Sequence, residues 1–186
     1  MVALPRQGSS DRWLGVRGPK AAKIPRVFAT RLRPFQKSDQ RIVVAWLAGP
    51  GLGLPPGAAG TVWAERLLGD PRIRAFVAER GDSPVGFARL DIGPDRIADL
   101  TIAVAPGIRG SGVGGEILDA VLDTCRFEGI RRVTAIVDAS NEPARRLFAS
   151  RGFDEEAFAA SPSSASIRFV RRMHGPAIGD ALEIEV

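Results

Sequence analysis

APGIRGSGVGGEIL, residues 105–118, is the stretch on which the fold turns. It leaves an apolar, strand-like run, RIADLTIAVA (96–105), and enters a helical one. Val113, Ile117, Val121 and Cys125 recur every four residues, with Leu118 and Leu122 beside them, so one face of a helix over 112–128 is apolar. Gly110, Gly112 and Gly115 fit the pattern G-x-G-x-x-G between a strand and a helix. Glycines let a backbone approach a phosphate closely. The unpaired N–H groups of the first helical turn point at it. A pyrophosphate-bearing ligand is therefore expected.

Several folds share that physics. A dinucleotide-binding fold fits poorly: five residues, Ala105 to Arg109, stand between the strand and the first glycine, and the usual turn is tighter. Asp138, after the next strand, could mimic a ribose-binding acid. The G-K-[ST] ending of a nucleoside-triphosphate loop is absent. A glycine turn used only for packing stays open on these residues alone.

Upstream, RIRAFVAE, VGFARLDI and RIADLTIAVA are strand-like and separated only by RGDSP and GPD. Connections that short force an antiparallel meander, because a parallel neighbour needs a long crossover. Before it, RVFATRLR (26–33) reads as a strand. Ser38 or Asp39 then caps a helix carrying Ile42, Val43, Trp46 and Leu47. The Gly/Pro stretch 48–60 breaks regular structure, and Val62–Leu68 forms a short helix. Downstream, RRVTAIV (131–137) is a buried strand. NEPARRLFASRG (141–152) is a helix with Asn141 as cap, Pro143 in the first turn and Gly152 as stop. Two strands near Phe153–Phe158 and Ser166–Met173 flank the loop SPSSA.

The chain has 186 residues, 45% of them apolar, and a net charge of +5. That suits one domain with a modest extra arm. Residues 1–33 hold eight basic side chains and one acid, against 18 and 20 in the remaining 153. The body is thus close to neutral, and a basic arm over 1–25 is expected to be mobile, followed by a domain over 26–173 and a tail over 174–186. Such an arm is more often solvated than a reader of nucleic acid, although it could dock on RNA. Cys125 is the one cysteine and His174 the one histidine, so no disulfide or metal site is expected. No run suits a membrane span or an apolar leader, which points to the cytoplasm.

At this point the sequence resembles the GNAT acyltransferase superfamily. Its R-G-x-G-[VI]-[GA] signature is matched by Arg109 to Gly114. Its N-x-x-A-x-x-L-[YF]-x-x-x-G-F signature is matched by Asn141, Ala144, Leu147, Phe148, Gly152 and Phe153. The two stand 27 residues apart with one helix and one strand between. The resemblance covers about four fifths of the chain. It implies an α/β (α+β) fold with a mixed sheet of about seven strands: an antiparallel meander, then a splayed parallel pair, with about four helices on both faces. It implies transfer of an acetyl group from acetyl-CoA to an amine. The pyrophosphate would rest on the amides of Arg109, Gly110, Ser111, Gly112, Val113 and Gly114, with the Arg109 side chain adding charge. The pantetheine arm would lie along Ile102, Ala103 and Val104, and Asn141 would bond it from the other side.

The acceptor must lose a proton. For a lysine-like amine of pKa about 10.4 that costs roughly 4.6 kcal/mol at neutral pH. A carboxylate is the natural base. Asp99 lies about 16 Å along the strand from Val104, within reach of the thioester end of an extended arm. A solvated strand aspartate is the equal alternative, and Asp91 and Glu79 are weaker candidates. Phe148 stands where many members carry a thiolate-protonating tyrosine, and this chain has no tyrosine. With a thiol pKa of about 8.5, unassisted departure is tolerable. Phe148 would wall the acyl pocket or simply fill the core. An acyl-cysteine at Cys125 and a base at His174 are remote alternatives.

Trp46 and Trp63 flank the stretch 48–60 and are assigned to the acceptor pocket, with core anchoring as the rival. The near-neutral body does not favour a strongly cationic aminoglycoside; the expected acceptor is a small-molecule primary amine: an amino sugar, an aminoglycoside-like compound or a metabolite amine. Acetylation of a protein N-terminus or lysine, and a non-catalytic acyl-CoA-binding module, are the alternatives. An oligomer is left open.

Overall fold

The computed structural model describes residues 29–49, 60–156 and 165–173. The arm over 1–25, the tail over 174–186, His174 and the loop SPSS lie outside the described residues. Seven strands form one sheet in the order β1-β2-β3-β4-β5-β7-β6. They are β1 (Arg31–Pro34), β2 (Ile73–Arg80), β3 (Ser83–Ile92), β4 (Ile97–Val104), β5 (Arg132–Asp138), β6 (Asp154–Glu156) and β7 (Ser166–Arg172). All neighbours are antiparallel except β4 and β5.

The expected meander is β2-β3-β4, and the expected mixed sheet is present. Pro34, read from sequence as lying after the first strand, is instead its last residue. That is tolerable because β1 is an edge strand, where a missing N–H breaks no interior ladder.

Helices α1 (Gln40–Leu47) and α2 (Thr61–Gly69) cover one face of the sheet, and α3 (Val113–Phe127) and α4 (Glu142–Ala149) the other. The α3 side buries Ile117, Leu118, Val121, Leu122 and Cys125 against Ala88, Leu100, Val133 and Phe169. This is the apolar stripe that the four-residue spacing announced. The α1–α2 side buries Val43, Trp46, Leu47, Trp63 and Leu67 against Val77, Phe87 and Ala103. Phe35, Trp63 and Phe87 meet there with ring centroids 5.8 to 6.3 Å apart. Each buried large side chain is worth about 1.5–3 kcal/mol, so both faces contribute substantially.

The start of α1 departs from expectation. A 3-10 turn, Lys37–Asp39, precedes it. The Asp39 carboxylate caps no helical N–H. It turns back to accept from Gln36 N–H at 2.8 Å and from both terminal nitrogens of Arg33 at 2.6 and 2.8 Å. Arg33 also donates to Glu79 at 2.6 Å. This network ties β1, β2 and the entry to α1 together. The Arg33 guanidinium holds the Asp39 carboxyl below the usual carboxylate range. Its contribution is therefore complete above about pH 4 and is lost as pH falls through the lowered native value.

Asp39→Ala should lower unfolding stability by about 3 kcal/mol at pH 7, since it leaves a largely buried guanidinium short of its partner. Denaturant melts of both proteins should show that difference shrinking as pH falls from about 5 to 2. A constant gap across that range would remove the electrostatic role.

Candidate active site

The sheet opens at β4. On one side β4 pairs with β3 from Ala98 to Val104. On the other, parallel pairing with β5 covers only Ile97, Ala98 and Asp99, opposite Arg132, Val133 and Thr134. β5 continues to Asp138 in full register with β7. The two central strands therefore separate beyond Asp99. Ala105 N–H donates to Val85 O at 3.0 Å. By the alternation of an antiparallel ladder, Thr101 and Ala103 then turn their backbone groups to β3, and Ile102 and Val104 turn theirs to the opening. Of the three arm-binding candidates, Ile102 thus offers both main-chain groups to the gap and Val104 its N–H, the Val104 carbonyl already accepting from Arg109 Nε. Ala103 offers neither: its side chain is buried under α1 and α2 and its backbone belongs to β3.

The glycine loop sits at the mouth of this gap. Gly110 and Gly112 have φ of +76° and +90°, a region L side chains rarely adopt, and a Cβ at either would meet only open space. Backbone conformation alone demands glycine there. Among the described residues, the N–H groups of Gly110, Gly112, Val113 and Gly114 have no acceptor. The other two expected amides are engaged in the preceding turn, Arg109 N–H with Pro106 O at 3.5 Å and Ser111 N–H with Ile108 O at 3.4 Å. Four free amides at the start of a 15-residue helix form a strong anion cradle. Glu116, an acid in that first turn, is drawn away by Arg80 at 2.8 Å.

The Arg109 side chain does not point at the cradle. Its Nε donates to Val104 O at 3.1 Å, and its guanidinium lies against Gly49 at the end of α1. Asn141 caps α4, its Oδ1 accepting from Ala144 N–H at 3.2 Å. Its Nδ2 has no partner among the described residues. Asp138 accepts from Ser140 in a local turn, and the Ser140 hydroxyl, followed by the Ser140 N–H at 2.8 Å, lowers its pKa.

Asp99 is exposed at the apex of the opening, on the α1–α2 face, and accepts a hydrogen bond from the Thr134 hydroxyl across it. Thr134 went unnoticed in the sequence, because the β4–β5 register that brings it there is set by α3 and cannot be read from spacing. Asp91 is the direct cross-strand partner of Asp99 and is paired with Arg89. Glu79 lies two strands away in the Arg33 network, its pKa lowered chiefly by Arg33, and is spent on structure.

Trp46 and Trp63, assigned from sequence to an acceptor pocket, are 5% and 6% exposed inside the α1–α2 core. They support that face from within rather than forming an open wall. Phe148 is also a core residue, packed against Phe153 and Phe169 at 5.0 and 5.5 Å. Cys125 is fully buried in the α3 core, away from the opening, and burial pushes its thiol up to about 12, both of which disfavour an acyl-cysteine. Among the described residues no cluster of potential metal ligands occurs, and no helix is long and apolar enough to cross a membrane.

The profile of the acetyltransferase (GNAT) family matches residues 43–153. A mycothiol acetyltransferase of Brachybacterium faecium is 30% identical over 146 residues, covering 72% of this chain and 44% of that protein. An uncharacterized N-acetyltransferase of Mycobacterium tuberculosis is 34% identical over 87 residues, 46% of this chain and 56% of that protein. The chain thus spans about half the length of these relatives. Among solved structures, spermidine N-acetyltransferase from Vibrio cholerae in complex with CoA and spermine superimposes with a TM-score of 0.65 at 20% identity, over 78% of this chain and 96% of that one. At that identity the likeness concerns the fold.

The native protein should resist iodoacetamide at Cys125 at pH 8 and react once unfolded, as read by mass spectrometry. Rapid native labelling would contradict the burial described.

Proposed function

Since the chain belongs to the acetyltransferase (GNAT) family, we propose that it moves an acetyl group from acetyl-CoA to a primary amine of a small molecule by direct attack in a ternary complex. The observation that carries this is the opening between β4 and β5, with four free amides at its mouth and Asp99 at its apex. A diphosphate suits the amides of Gly110, Gly112, Val113 and Gly114. The amide groups of a pantetheine arm suit the open backbone of Ile102 and the Val104 N–H, continuing the sheet where β5 has left it. The Asn141 side-chain Nδ2 is available from the other side.

Asp99 is the proposed base. The amine nitrogen loses a proton to its carboxylate, directly or through water, and attacks the thioester carbonyl. The N–C bond forms, the C–S bond breaks, and the sulfur leaves with the electron pair. Thr134 positions the carboxylate through its hydroxyl. No tyrosine is present to protonate the thiolate, so solvent supplies that proton; for a thiol of pKa about 8.5 the penalty is about 2 kcal/mol. Phe148 and the two tryptophans act by keeping the two sheet faces rigid behind the site.

Thiol release from acetyl-CoA should appear across a panel of primary amines. Asp99→Asn should lower kcat by about 100-fold while acetyl-CoA affinity changes less than twofold, the usual scale for loss of a general base. Unchanged turnover would remove Asp99 from the chemistry. Gly112→Asp should abolish acetyl-CoA binding by calorimetry. Gly112→Ala, which adds only backbone strain, should retain part of it. Equal affinity in the Asp variant and the wild type would place the diphosphate elsewhere.

A further inference from the structure

One row of the sheet, two residues from the Asp99–Thr134 contact, carries unmatched positive charge. Register sets Ile97, Arg132 and Arg172 side by side across β4, β5 and β7, on the same face as Asp99 and Thr134. Arg132 and Arg172 are direct cross-strand partners, an arrangement that repulsion between like charges disfavours. Other arginines of this protein are matched: Arg33 with Asp39, Arg74 with Glu128, Arg80 with Glu116 and Arg151 with Asp119. The side chains of Arg131, Arg132 and Arg172 have no hydrogen-bond or ion-pair partner among the described residues, although their backbones are bonded within and beside the sheet. The three line one surface cavity of about 630 Å³, with Ile97, Met173 and a single carboxylate, Asp95. Three guanidiniums against one acid leave that cavity positive.

We propose that this cavity binds an anionic group, carboxylate or phosphate, of the acceptor, so that the substrate is an amine that also carries an acid. This rests on Asp99 being the base of the acetyl transfer proposed above. Two residues along a strand and one strand across separate the Asp99 and Arg132 backbones by about 8 Å, and the arginine side chains can reach back over that distance. An amino acid or a phosphorylated amino sugar spans it. Guanidinium groups bind carboxylate and phosphate through paired N–H donors, and Arg132 and Arg172 stand where two can converge on one anion. A purely cationic acceptor would meet them as like charges, and a neutral amine would leave both unused. The anion also supplies what the bare row lacks, a countercharge between two opposed arginines.

The test uses matched pairs: glucosamine against glucosamine 6-phosphate, and glutamate against its diamide. In the wild-type enzyme the acid-bearing member of at least one pair should have a kcat/KM at least tenfold higher, and the pair that shows it identifies phosphate or carboxylate. The double variant Arg132→Gln, Arg172→Gln should erase that preference by raising KM for the acid-bearing amine at least tenfold. Arg172→Lys should restore part of it. The double variant should melt no lower than the wild type, because it relieves a repulsion. Equal or better use of the uncharged members by the wild type, or an unchanged preference in the double variant, would overturn the proposal. A second readout needs no turnover. In the Gly112→Asp background, where the amide cradle is blocked, inorganic phosphate should shift the NMR signals of arginine Nε–H groups at millimolar concentration, and not in the added double variant. Absence of that shift also overturns it. Failure of every amine to react would count against the acetyl-transfer reading alone, since the phosphate titration decides the anion site separately.

Discussion

β4 is hydrogen-bonded along its length to β3 but to β5 over only three residues. A buried or half-buried strand edge must find partners for its N–H and C=O groups. Here the edge at Ile102 and Val104 is left open in the middle of a seven-stranded sheet rather than at its rim. The rest of the site is arranged around that gap. The loop after β4 carries free amides at its wide end, α3 aims its positive terminus there, and Asp99 closes its narrow end with Thr134. Arg109, bonded to Val104 O, holds the strand end against α1 and keeps the mouth in shape.

Charge in this protein divides into two groups. Much of it is structural: Arg33 with Asp39 and Glu79 fastens β1 to β2, Arg80 draws Glu116 from the α3 terminus, and Arg151 with Asp119 joins α4's end to α3. The exposed pairs among these contribute modestly to stability and mainly fix position, whereas the largely buried Arg33–Asp39 pair carries more. The second group lies around the opening: free amides at one end, arginine side chains without a carboxylate partner at the other, and between them Asp99, held by the Thr134 hydroxyl. A floor of mixed sign suits an acceptor of mixed sign better than a polycation.

Most of the architecture could be read from periodicity and turns. The stripe from Val113 to Cys125 gave α3, and the linkers of five and three residues, RGDSP and GPD, required the meander. Asn141, Pro143 and Gly152 marked the limits of α4 to within a few residues. The sequence was less informative where tertiary contacts decide. Asp39 looked like an ordinary helix cap and instead serves Arg33, which lies on another element. The two tryptophans beside a Gly/Pro stretch resembled pocket walls, yet large aromatic rings are driven inward once two helices cross a sheet face. Six loop amides seemed equivalent, and a 3-10 turn engages two of them. Thr134 and the Arg132–Arg172 row depend on strand register across a helical crossover, which no local pattern encodes. The backbone form of the glycine loop and the position of Asp99 on β4 were legible because both lie within one contiguous strand and turn.

Amide hydrogen exchange on the protein with and without acetyl-CoA is the most direct measure of the central claim. At saturating ligand, the N–H groups of Ile102, Val104, Gly110, Gly112, Val113 and Gly114 should slow together, by at least tenfold, while those of β1 and β2 stay as they were. Acetyl-CoA that binds without slowing Ile102 and Val104, or that protects some other surface instead, would contradict the role given to the opening between β4 and β5.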